Sequence, residues 1–133
     1  MLKTITYISS SKIESHHKLL KLFEKAKAYN IKHNISGILI LKKNVFLQIL
    51  EGHSDIVNAV FNKISNDNRH HQIIKLIDFP ITNRLFQDYD TSFSLVISRK
   101  EFKKLNNYIN WLRQADSSCA KKAINILENL LRD

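Results

Sequence analysis

Apolar side chains recur along the chain with two periods, and the switches between them mark the elements. Residues 2 to 9 alternate imperfectly and are rich in threonine and isoleucine, which predicts a strand with Ile5, Tyr7 and Ser9 on one side. From about 14 to 33, Leu19, Leu22, Phe23 and Ala26 follow helical spacing, and the same stripe continues to Asn30. Ser36-Gly37 opens the apolar run Ile38 to Leu41, which meets a second run, Val45 to Leu50, across the polar turn Lys42-Lys43-Asn44. That pattern predicts a hairpin of two largely buried strands. Gly52 ends it, and Ser54 or Asp55 is placed to cap a helix carrying Val57, Val60, Phe61 and Ile64. Residues 73 to 79 read as a strand stopped by Pro80, and a last strand falls near 92 to 97. Two amphipathic helices follow, the first marked by Phe102, Leu105, Ile109 and Leu112, the second by Ala120, Ile124, Leu127 and Leu131.

The order strand, helix, strand, strand, helix, strand, with a further strand and two helices, predicts an α+β, ferredoxin-like sheet with both main helices on one face. The expected division is a domain over residues 1–97 and a helical extension over 98–133. The extension either covers the sheet's other face or pairs with a second copy. A chain of 133 residues, 44% hydrophobic, can bury one sizeable core. Two glycines and one proline leave little room for linkers.

Composition narrows the setting. The single cysteine, Cys119, excludes an internal disulfide framework. The N-terminus lacks the apolar core of a secretory signal, and no run reaches the roughly 20 apolar residues of a membrane span, so a cytoplasmic protein without a membrane partner is expected. A formal charge of +9 raises the prospect of an acidic partner. Lys18, Lys21, Lys25 and Lys32 fall on one helix face opposite the apolar stripe, which equally suits a solvated surface.

Three polar residues are not explained by the fold. Gln48 sits between Leu47 and Ile49 and shares its face with Phe46 and Leu50, so its amide needs a partner. Asn30 extends an apolar stripe, where it either ends the helix or meets a ligand. Tyr7 shares a face with the core residue Ile5. With the first strand beside the hairpin strand and the first helix across that face, all three point into one interlayer space. Such a set suits a planar, heteroatom-rich ligand. Arg69 and His70, in the run Asp67 to His71, suit a phosphate or a helix end; no set of cysteines or carboxylates at metal spacing accompanies the histidines. No nucleophile elbow, phosphate-cradling glycine loop or metalloprotease motif is present, and no enzyme activity is expected.

The stretches Tyr7-Ile8-Ser9, Ala26 to Asn30, Ile35-Ser36-Gly37-Ile38-Leu39, Phe46 to Gly52 and Asp67 to His71 resemble, in order and spacing, the BLUF domains, blue-light sensors that use FAD. The resemblance covers about residues 2 to 95. It implies a ferredoxin-like fold that holds FAD non-covalently between the two main helices, with FMN or riboflavin as alternatives. It further implies that Asn30 binds the polar edge of the flavin ring and that Gln48 bridges flavin and Tyr7. Light then drives an electron and a proton from Tyr7 to the flavin, and the return leaves Gln48 in an altered tautomer or orientation. By the same resemblance Ser9 supports this network, Phe46, Leu50 and Ile64 wall the ring, and Arg69 with His70 lie toward the ribityl and phosphate part.

The chain departs from the family pattern in places. Lys27 stands where an arginine is common, and Tyr29 directly precedes the asparagine. The arginine, phenylalanine, tryptophan-serine-methionine pattern becomes Arg84, Phe86 and Tyr89-Asp90-Thr91, which puts Tyr89 and Thr91 in the position of signal relay. The reading is a stand-alone photoreceptor that acts as a homo-oligomer and passes its signal to a downstream protein. A basic nucleic-acid-binding module and a chromophore-less interaction protein are the alternatives. The first needs exposed aromatics paired on neighbouring strands, which the sequence does not offer, and the second sits poorly with Tyr7, Asn30 and Gln48 all being present.

Overall fold

A computed structural model of the chain describes residues 1–11, 15–66, 70–89, 92–114 and 118–131. The chain forms two units, Met1–Leu95 and Val96–Asp133. The first carries β1 (Leu2–Ser11), α1 (His16–Lys32), β2 (Ser36–Lys42), β3 (Val45–His53), α2 (Ser54–Ser65), β4 (His70–Ile81) and β5, which runs from Phe93 to Val96 at the boundary. The sheet order is β4-β1-β3-β2-β5, and β1 pairs antiparallel with both β3 and β4. The expected α+β sheet of the ferredoxin-like type is therefore present, with β1 beside β3 at its centre.

Strand alternation sorts the side chains. Ile5, Tyr7 and Ser9 stand opposite Leu50, Gln48 and Phe46, so these six share one face. Thr6, Ile38, Ile40, Leu47 and Ile49 belong to the other, and all five are buried as well. A strand buried on both faces reads as a continuous apolar run, which is why β2 and β3 show almost no alternation in sequence. The hairpin turn is tighter than expected: Lys42 pairs with Val45, leaving Lys43 and Asn44 at φ 50° and 64°. Positive φ at both positions is the turn geometry that matches the right-handed twist of the strands.

Two expectations at element ends are corrected. The N-cap of α2 is His53 and makes no side-chain cap bond. Ser54 instead bonds Met1, its N and Oγ lying 2.9 and 3.1 Å from the Met1 carbonyl, because the Leu2–His53 register brings the start of β1 to the start of α2. Pro80 does not stop its strand either, since β4 continues to Ile81 with Pro80 opposite Lys3. β4 is an edge strand, where a residue without an N–H is tolerated.

The second unit holds α3 (Arg99–Gln114) and α4 (Ser118–Leu131). Ser98 and Glu101 form a capping box: Ser98 Oγ accepts from Glu101 N at 3.2 Å, and Glu101 Oε1 accepts from Ser98 N at 2.9 Å. Arg113 pairs with Glu128 across the two helices. No helix among the described residues is long and apolar enough to cross a membrane.

Candidate functional site

Tyr7 and Gln48 are direct partners across β1 and β3, so strand geometry alone forces the phenol and the amide onto one face. Tyr7 Oη donates to Gln48 Oε1. Both side chains are buried, at 1% and 4% exposure. The Phe61 ring meets the Tyr7 ring edge-on at 5.5 Å, fixing the phenol from α2. With Oε1 taken by the phenol, the amide presents its Nε2 hydrogens elsewhere, and no described residue accepts them.

Asn30 reaches the same space from α1. It is 3% exposed, and its backbone carbonyl accepts from Ile35 N at 2.7 Å, which secures the helix end. Its carboxamide finds no hydrogen-bond partner among the described residues. The carboxamide is not sealed in the core, since Thr6 Oγ1 alone is a buried side-chain polar atom without a partner among the described residues; it opens onto the cavity that Asn30 helps to line.

Between α1, α2 and the sheet lies a cavity of about 420 Å³, within the range of about 300–1,000 Å³ common for ligand sites. Leu22, Phe23 and Ala26 of α1 and Val60 and Ile64 of α2 form its sides; Leu39 and Phe46 form its floor; Tyr7, Asn30 and Gln48 supply the polar groups. Lys25, Tyr29 and Lys63 stand at the mouth, with Lys63 Nζ 5.0 Å from the centre of the Tyr29 ring. An apolar slot with a few converging polar groups accepts a flat ring whose edge carries donors and acceptors.

Among the expected site residues, Tyr7, Asn30, Phe46, Gln48 and Ile64 meet at this cavity. Ser9 and Leu50 share the sheet face and are buried, but neither lines the cavity; Ser9 stands opposite Phe46, and Leu50 is flanked by Ile5 and Gly37. Arg69 and Thr91 lie outside the described residues, as does the His70 side chain. Tyr89 is buried away from the cavity lining, its ring edge-on to Phe86 at 5.9 Å. Lys25 is not simply on the solvated face of α1. It follows Leu22 by three residues and precedes Tyr29 by four, so helical geometry carries it to the cavity rim.

Glu51 escaped the sequence reading. It lies on the opposite sheet face, 1% exposed, and its carboxylate accepts from Leu85 N at 2.6 Å, Phe86 N at 3.0 Å and Ser36 Oγ at 3.0 Å. Burial raises its pKa above the ordinary glutamate value, against the lowering effect of these hydrogen bonds and of Arg84. A carboxylate beside Gly52 inside an apolar strand was the available signal.

Residues 2–92 match the family model for sensors of blue-light using FAD, the BLUF domain. The chain is 31% identical over 91 residues to photoactivated adenylate cyclase subunit beta of Euglena gracilis, covering 66% of this chain and 11% of that protein. It is 31% identical over 78 residues to the blue light- and temperature-regulated antirepressor BluF of Escherichia coli strain K12, covering 58% of this chain and 19% of the relative. The match thus spans no more than about a fifth of the length of either. Among solved structures, BlrB, a BLUF protein in its dark state, superposes with a TM-score of 0.73 at 26% identity, covering 98% of this chain and 96% of the other.

Proposed function

The chain belongs to the BLUF family of blue-light sensors using FAD, and from that membership we propose that it holds FAD non-covalently in the cavity between α1 and α2 and signals through the Tyr7–Gln48 hydrogen bond. The observation that carries this reading is the convergence of Tyr7, Asn30 and Gln48 on one cavity, with the Asn30 carboxamide and the Gln48 Nε2 hydrogens unclaimed by any described residue. A flavin ring suits that donor set, since its imide edge needs a donor and an acceptor together and a carboxamide offers both. FMN and riboflavin carry the same ring.

A bound flavin supplies blue-light absorption and an electron-accepting excited state. Tyr7 is the side chain able to release an electron and a proton, and its Oη proton is already directed at Gln48 Oε1. Gln48 can answer in two ways. Its amide can rotate, or pass to the imidic tautomer, and either change replaces an acceptor by a donor opposite the phenol. The phenol must then accept where it had donated. Two hydrogen-bond arrangements of similar energy in a buried Tyr7–Gln48 pair form a bistable element, and occupancy of one or the other is the signal. Ser9 and Leu50 back this network from the same sheet face, Arg69 and His70 serve the ribityl and phosphate part, and Tyr89 with Thr91 relays the change toward β5.

In this reading the chain is a sensor without catalytic groups of its own. The helical unit Val96–Asp133 carries the contacts to a second copy and to a downstream protein. The deciding experiment is the visible spectrum of the purified protein before and after blue illumination. Flavin bands that shift slightly to the red and relax in darkness support the reading; a colourless protein that takes up no added FAD refutes it.

A further inference from the structure

The segment from Arg84 to Phe93 joins the end of β4 to β5, and its described residues are held at several points. At its start, the Glu51 carboxylate accepts the backbone N–H groups of Leu85 and Phe86. Arg84 Nη1 adds bonds to Ser36 Oγ at 3.2 Å and to the Glu51 carbonyl at 3.4 Å, so β2, β3 and the segment meet at one point. Further along, Gly37 N donates to Ser92 O at 2.9 Å. At its end, the Phe93 ring stacks on Phe23 at 5.9 Å, and Phe23 is a wall of the cavity. Tyr89 lies between these fixed points, buried against Phe86.

One end of the segment therefore touches the cavity wall, and the other is held by a carboxylate on the far face of the strand that carries Gln48. Gln48 and Glu51 are three residues apart on β3, about 10 Å along a strand. A shift at the Phe23–Phe93 contact becomes a defined displacement of β5 only if the far end of the segment stays in place; otherwise the loop absorbs it. Burying a carboxylate is costly, and a hydrogen-bonded pair of backbone amides is what makes that burial tolerable. We infer that Glu51 is the anchor of the light response, a positioning residue that holds residues 84–86 so that a change at the cavity reaches Tyr89 and β5. The inference rests on the flavin reading above and extends it to a residue outside the cavity.

The test compares the flavin-loaded full chain with Glu51→Gln, reading amide hydrogen exchange across 84–93 in darkness and under blue light. An amide side chain keeps only one acceptor oxygen, so at least one of the two backbone N–H bonds is lost. The variant should keep the red shift of the flavin bands, exchange about 2- to 10-fold faster at Leu85 and Phe86 in the dark, and lose the light-minus-dark difference across 84–93. Ser36→Ala, which leaves both backbone bonds to Glu51 intact, should retain that difference. A photoactive Glu51→Gln protein whose light-minus-dark difference equals that of the parent overturns the anchor role alone, whereas a parent chain that binds no flavin overturns the reading beneath it. Should Glu51→Gln fail to fold, Arg84→Gln removes the guanidinium from the same point, keeps the carboxylate, and is expected to diminish the difference; an undiminished difference there counts against the anchor.

Discussion

Tyr7 and Gln48 are register partners on the two central strands, and the phenol donates to the amide oxygen inside a buried layer. Neither residue can leave this pairing without breaking strand register, because a one-residue slip of either strand would carry its residue to the opposite face from the other. The switch is thus built into the sheet and does not depend on loop placement.

Tyr7→Phe and Gln48→Leu should each abolish the light-induced red shift while leaving flavin binding in place, since Asn30 and the apolar walls remain. Tyr7→Phe strands a buried amide oxygen and should lower stability by about 1–3 kcal/mol. Absorption spectra of the illuminated variants, set beside their urea midpoints, check both parts. A Tyr7→Phe protein that still shifts would remove the phenol from the mechanism.

Asn30→Ala should separate binding from stability. It deletes a carboxamide that opens onto the cavity and has no partner among the described residues, so the apoprotein should be about as stable as the parent. Flavin affinity should fall, by about 5- to 150-fold for the loss of about 1–3 kcal/mol of hydrogen bonding. Titration of apoprotein with FAD by fluorescence, together with a thermal melt of the apoprotein, reads the two effects. Unchanged affinity would mean that Asn30 does not meet the ring.

Much of this site was legible in the sequence because the strand and helix periods carry it. Gln48 stood out as an amide among apolar neighbours, and Asn30 as a polar residue on an apolar stripe. Other features escaped for physical reasons. Glu51 reads as a strand-end carboxylate because its backbone partners, Leu85 and Phe86, are 34 and 35 residues away. Lys25 reads as solvated, since a helical wheel does not distinguish open solvent from the rim of a cavity. Pro80 signals a strand end unless the strand is known to be an edge, and that is a property of the whole sheet.

Gly37→Ala should be severely destabilising. Gly37 has φ +149°, a conformation side chains rarely adopt, and an added Cβ would lie 1.8 Å from the Ile49 carbonyl oxygen in the neighbouring strand. The backbone of β2 would have to move from β3 at the point where Ser92 also docks. A loss of at least about 2 kcal/mol is expected, together with weaker flavin retention, since Leu39 on the same strand forms part of the cavity floor. Thermal melts of parent and variant would settle it, and a variant within error of the parent would show that the strand can relax around the methyl.

Acid sensitivity should trace in part to Asp78, where β4 meets β1 and α2. Its carboxylate is held below the ordinary aspartate value of 3.8, first by Lys3 and then by Lys75, whose Nζ atoms approach at 2.5 and 2.7 Å. Lys3 also reaches Asn58 on α2 at 2.9 Å, so the cluster ties the edge strand to the helix. Because the folded pKa is depressed, the unfolded chain takes up its proton first as pH falls. The contribution of this cluster is therefore complete above the unfolded value of 3.8 and is lost as pH drops through the lower folded value. The carboxylate is partly exposed and screened by solvent, so the contribution is at most about 1 kcal/mol. Asp78→Asn should cost that amount near neutral pH and flatten the fall in stability below pH 3.8, as read from denaturant midpoints across an acid series. Parallel curves for parent and variant through that range would show that the lysines gain nothing from the charge on Asp78.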